Sequence, residues 1–61
     1  MRTEYTIRIT DEKGKTSTLV YPKKYATEKA IDYKKRLTNC LVEFFKVIYN
    51  GTSFYSAEKI F

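Results

Sequence analysis

The sequence predicts an α+β fold: a small ββαββ domain whose antiparallel sheet carries one helix on one face. Three observations predict it. Residues 3–10 alternate apolar and polar side chains, the period of a half-buried strand. Ala26, Ala30, Tyr33 and Leu37 recur at helical spacing, as one buried stripe does. Asn50-Gly51 interrupts a run of β-branched and aromatic residues, the strongest short-range hairpin signal.

The first strand places Tyr5, Ile7 and Ile9 on one side and Thr6, Arg8 and Thr10 on the other. Residues 11–15, DEKGK, form a polar turn in which Gly14 supplies a positive φ. TSTLVY, residues 16–21, returns as the second strand with Leu19 and Tyr21 on its apolar side. Pro22 closes it, because proline cannot donate to a ladder. A helix follows, with Thr27 as the expected N-cap and Glu28 in a first turn that favours acids. Ile31 lies off the apolar stripe, where it is free to cover a sheet edge or a partner.

Residues 40–54, CLVEFFKVIYNGTSF, admit two readings. Val42, Phe44, Phe45, Val47, Ile48 and Tyr49 are residue types that suit a pleated surface. They predict a third strand over 41–49, a type I′ turn at Asn50-Gly51 and a returning strand within 52–61. The helix before them then ends near Asn39, a residue that tolerates the left-handed conformation. The other reading is a β-hairpin followed by one long helix, about 27–49, because apolar residues at 37, 41, 44 and 48 keep helical spacing. Residue type and Asn50-Gly51 favour the strand. Register stays open: a two-residue turn sets Glu43 against Glu58, and a shift by one sets it against Lys59.

Sixty-one residues suffice for one domain, and a chain this short buries little of its surface. Folded alone, it is expected to rely on its six Tyr and four Phe, and association into a homodimer is one way to add core. Cys40 is the sole cysteine. Without an internal disulfide it suits a reducing compartment and reads as a small buried hydrophobe. Residues 1–10 lack the apolar stretch of a secretory signal, and no run is long enough to span a bilayer. The expected setting is cytoplasmic.

The missing residue types exclude chemistry. There is no histidine, hence no histidine-based triad or histidine metal site. One cysteine without histidine makes no Cys/His zinc site. Gly14 and Gly51 are the only glycines, so no glycine-rich phosphate loop exists. The seven carboxylates are scattered, and Asp32 reads as the i,i+4 partner of Arg36. The expectation is a protein that is not an enzyme, with no cofactor, no metal and no small-molecule substrate.

The functional lead is positive charge. Twelve Lys/Arg against seven Asp/Glu give +5, which attracts nucleic acid, an acidic protein or an anionic surface. Lys23 and Lys24 precede the expected helix start, where free N–H groups favour anions. Lys34, Lys35 and Arg36 form a second group farther along, and Arg8, Lys46 and Lys59 add charge from the sheet. Tyrosines beside lysines suit base stacking. The five cations Lys23, Lys24, Lys34, Lys35 and Arg36 are the candidate nucleic-acid-binding residues.

Ala30, Leu37, Val42-Glu43 and Lys46-Val47, followed by a Tyr/Phe-rich end, make residues 3–61 resemble small ββαββ proteins of phages and bacteria. The resemblance implies an accessory or regulatory protein, acting in the host-cell cytoplasm if phage-encoded, and brings no motif whose chemistry transfers. The sequence therefore predicts a basic, non-enzymatic binding module with DNA or RNA as favoured ligand. The competing expectation is a protein-binding, inhibitory or self-associating module that uses a sheet edge or the aromatic C-terminal segment. A membrane-surface role is disfavoured, because the helix stripe is small and alanine-containing.

Overall fold

The elements run β1 (Arg2–Thr10), β2 (Thr16–Tyr21), α1 (Lys23–Arg36), β3 (Leu41–Asn50) and β4 (Ser53–Lys59) in a computed structural model that describes all 61 residues. The strands form one sheet in the order β2-β1-β3-β4, every pair antiparallel. β2 and β3 thus run parallel with β1 between them, and α1 makes the crossover. The helix packs against β1, β2 and β3 and does not reach β4. This is the ββαββ arrangement that the alternation and the hairpin signal predict. The long helix over 27–49 does not form.

Cross-strand register explains the core. Ile7 stands between Leu19 and Phe44, and Ile9 beside Val42, so one sheet face collects the apolar side chains of three strands. Ala26 and Ala30 press onto that face, and Ile7 and Phe44 are 0% and 1% exposed. Alanine on the helix lets the backbones approach closely, and burying the larger partners contributes about 1.5–3 kcal/mol each. Tyr5, Ile9, Leu19, Tyr21, Tyr33, Leu37 and Phe61 pack around this centre half-buried. Phe61 lies 5.5 Å from the Phe44 ring, and its carbonyl accepts from the Phe44 N–H at 2.7 Å. The last residues extend the β4 pairing and dock on the core at once.

Three local expectations are corrected. The helix starts four residues before Thr27, with Pro22 at the N-cap (φ −62°, ψ 149°). The Pro22 carbonyl accepts the first helical bonds from the N–H groups of Tyr25 and Ala26 at 3.0 and 3.1 Å, the ring's fixed φ sets the entry of the chain, and no side chain caps the helix. The helix ends at Arg36 without a left-handed residue: Leu37 caps it at φ −97° and Asn39 has negative φ. The β3–β4 loop is Gly51-Thr52, with Asn50 paired to Ser53. Only Gly51 has positive φ, +66°, the sign pattern of a type II′ turn rather than I′.

A bulge between Ile48 and Tyr49 shifts the β3–β4 register once more. Glu58 thereby faces Lys46, and Lys59 faces Phe45. Neither register considered from the sequence is adopted, and the Glu43/Glu58 clash is avoided. The β1–β2 turn follows expectation. Asp11 Oδ1 accepts from the N–H groups of Lys13 and Lys15, both at 2.9 Å, and Gly14 takes φ +82°.

Candidate nucleic-acid interface

Helix α1 concentrates the charge. Lys23, Lys24, Lys29, Lys34, Lys35 and Arg36 face only Glu28 and Asp32 as counter-charges, so the helix carries +4 of the chain's +5. All six cations are exposed. Arg36 Nε pairs with Asp32 Oδ1 at 3.1 Å, the expected i,i+4 contact, a surface pair of a kind worth a few tenths of a kcal/mol. The five lysines make no ion pair.

The early helix start changes the geometry of the two predicted groups. Lys23 and Lys24 occupy the first turn itself, which holds no acidic residue, so the positive end of the macrodipole adds to their charge. Lys34, Lys35 and Arg36 fill the last turn, where cations are favoured. The helix therefore separates the groups by about 16 Å along its axis, at about 1.5 Å per residue. Lys24 Nζ lies 5.5 Å from the Tyr25 ring centre and Lys34 Nζ lies 4.7 Å from that of Phe61. Phe61, Ile31, Lys34 and Lys35 line an open groove, in which Ile31 is exposed.

The other sheet face has no helix on it and holds a second constellation. Arg2, Glu4, Thr6 and Arg8 of β1 stand beside Tyr49, Val47, Phe45 and Glu43 of β3. The Arg2 guanidinium lies 4.7 Å from the Tyr49 ring centre, and Tyr49 meets Phe54 edge-on at 6.4 Å. The Arg8 guanidinium lies 5.1 Å from the Phe45 ring centre. Arg8 Nε and Nη2 reach Glu43 Oε1 at 2.9 and 2.8 Å, and Lys59 Nζ reaches Oε2 at 3.3 Å. Glu43 is buried, and hydrogen bonding from Arg8, aided by Lys59, outweighs that burial and holds its carboxyl below the ordinary glutamate range. Arg8 and Lys59 are thus engaged with Glu43, on the face away from the helix.

Sequence reasoning singled out both lysine groups, though it set Lys23 and Lys24 ahead of the helix they begin, and it missed Arg2, Phe45, Tyr49 and Phe54 as a group. The parity of β1 and β3 could have found them, because odd positions of β3 fall opposite even positions of β1. Lys46 lies on the helix-side face opposite Tyr5 and Glu58. Cys40 is half-buried, less enclosed than expected. No helix is long and apolar enough to cross a membrane. No family model matches the chain, and no curated protein or solved structure matches it either. The resemblance to small phage and bacterial proteins has no counterpart in these comparisons, so the site must be judged on its own geometry.

Proposed function

We propose that the chain is a non-enzymatic nucleic-acid-binding module whose basic helix α1 contacts phosphates. The observation that carries this reading is the charge partition: +4 of +5 on one exposed helix, with five lysines free of carboxylates. Such a surface neutralises phosphates and releases counterions, which supplies affinity without reading sequence. Cationic groups at both ends of the helix suit two backbone segments, as on either side of a major groove about 12 Å wide. A small accessory role in a phage or bacterial cytoplasm goes with this reading.

A protein-binding role is the second reading. It is favoured by the exposed Phe54 and Tyr55 of β4, side chains of the kind that anchor interfaces.

Fluorescence anisotropy with labelled single-stranded DNA, duplex DNA and RNA tests the proposal. The double variants Lys23→Ala/Lys24→Ala and Lys34→Ala/Lys35→Ala should each weaken binding similarly for every sequence tried. Binding unchanged by both pairs would move the site off the helix and favour the second reading.

A further inference from the structure

We infer that β2 is a self-association edge, on which a second copy of this chain pairs antiparallel with Thr18 on the two-fold axis.

The sheet has two edges, and they differ. β4 carries the bulge at Ile48/Tyr49 and ends in Glu58-Lys59, features that discourage a further strand. β2, TSTLVY, is regular along its whole pairing with β1 and contains no charged residue. Its residue types favour strands. The structure thus guards one edge and leaves the other open.

Hydrogen-bond parity shows which β2 groups are free. The Asp11 N–H donates to the Lys15 carbonyl at 3.0 Å, which makes that pair hydrogen-bonded. Bonded pairs alternate along an antiparallel ladder. Ile9/Ser17, Ile7/Leu19 and Tyr5/Tyr21 are then the bonded pairs of β1 and β2. The β3–β4 side agrees: Phe44 turns its N–H to the Phe61 carbonyl, away from β1. The N–H and C=O groups of Thr16, Thr18 and Val20 therefore point outward.

Those three residues are self-complementary in one register. With Thr18 opposite its own copy, Thr16 meets the copy's Val20 and Val20 meets its Thr16. All outward groups of both strands then find partners, giving about six hydrogen bonds by the ladder rule. Sliding by one residue on each strand leaves some of them unpaired or brings Pro22, which has no N–H, into the ladder. Thr–Thr and Thr–Val neighbours suit cross-strand contact, and no like charges meet within the strands. On the helix face, half-buried Leu19 gains the copy's Ser17 and, diagonally, its Leu19. With six of 61 residues buried, the protomer has reason to extend its core this way.

The axis stands perpendicular to the sheet, so an eight-stranded sheet results with both α1 helices on one side. Their like charges oppose pairing, and salt screens that repulsion. Self-association therefore strengthens with salt, the opposite of nucleic-acid binding. This inference does not rest on the nucleic-acid reading.

Sedimentation velocity of the full chain at low and high salt tests it, with amide hydrogen exchange read residue by residue. The expected result is a species of twice the 7.2 kDa protomer mass, favoured by concentration and salt. Exchange at Thr16, Thr18 and Val20 should slow about ten-fold when about 90% of chains are paired, by mass action. Thr18→Pro removes an outward donor and spares the β1 ladder, so it should give a monomer with unchanged circular dichroism. A monomer at high salt and high concentration would overturn the inference. So would a dimer in which those three amides still exchange freely, a result that needs no variant to fold.

Discussion

Arg8 and Glu43 stand directly opposite each other on the two central strands, joined by contacts of 2.9 and 2.8 Å to one carboxylate oxygen. Lys59 reaches the other oxygen from β4. One carboxylate thus ties three of the four strands together on the face that no helix covers. Because Glu43 is held below its ordinary value of 4.5, its contribution is present above that pH and is lost as pH falls through the depressed value. Acid titration of the fold by circular dichroism should show stability falling below about pH 4.5. Glu43→Gln should be less stable at neutral pH and lose less on acidification. An equal acid response in both proteins would remove Glu43 from this role.

The core prediction concerns Phe44. It touches Tyr5 and Phe61 and is almost wholly buried. Phe44→Ala should cost about 3–5 kcal/mol, enough to unfold much of a domain this small, whereas Ile7→Val should cost about 0.5–1.5 kcal/mol. Urea unfolding of both variants measures the difference. Similar small losses would mean that the centre of the fold lies elsewhere.

Gly51 is predicted to matter through its backbone alone. A Cβ there meets nothing within 4 Å, yet φ is +66°. Gly51→Ala should therefore destabilise by about 1–2 kcal/mol, from left-handed strain rather than collision. Thermal melts give the loss. An unchanged melting temperature would show that the turn relaxes freely.

Tyr21 and Tyr33 join β2 to the helix, with their hydroxyls 3.1 Å apart. The hydrogen bond with Tyr33 raises the Tyr21 pKa above 10.0, with desolvation adding to it. The sign follows: this contribution is complete below pH 10.0 and is lost as pH rises through the raised value. Tyr33→Phe should let Tyr21 ionise at lower pH, read by ultraviolet tyrosinate absorbance. An unshifted titration would show that the pair contributes nothing.

Much of this fold is legible in the sequence, for identifiable reasons. Strand β1 alternates without a break, and Ala26, Ala30, Tyr33 and Leu37 mark the helix's buried face. Residues 41–49 are ambiguous because positions 44 and 48, four apart, satisfy a period of 2 and approximate one of 3.6. Their β-branched and aromatic types decide it, and strand β3 forms. The helix start was hidden because Pro22 caps with its carbonyl and not with a side chain. The register of β4 was hidden because the loop position shifts its pairing with β3 by two residues and the bulge by one more. Of the site, the helix cations could be counted in advance. The Arg2–Tyr49 and Arg8–Phe45 contacts required the β1–β3 register.

Phosphate binding by α1, as proposed, is tested most directly by the salt dependence of binding. Observed affinity of the wild-type chain for duplex and single-stranded oligonucleotides would be measured between about 50 mM and 200 mM salt. If the five cations Lys23, Lys24, Lys34, Lys35 and Arg36 each neutralise a phosphate, log affinity should fall against log salt. The slope should be about −4 to −5 for a duplex and about −3 to −4 for a single strand. A flat slope, or no binding at the lowest salt, would contradict it.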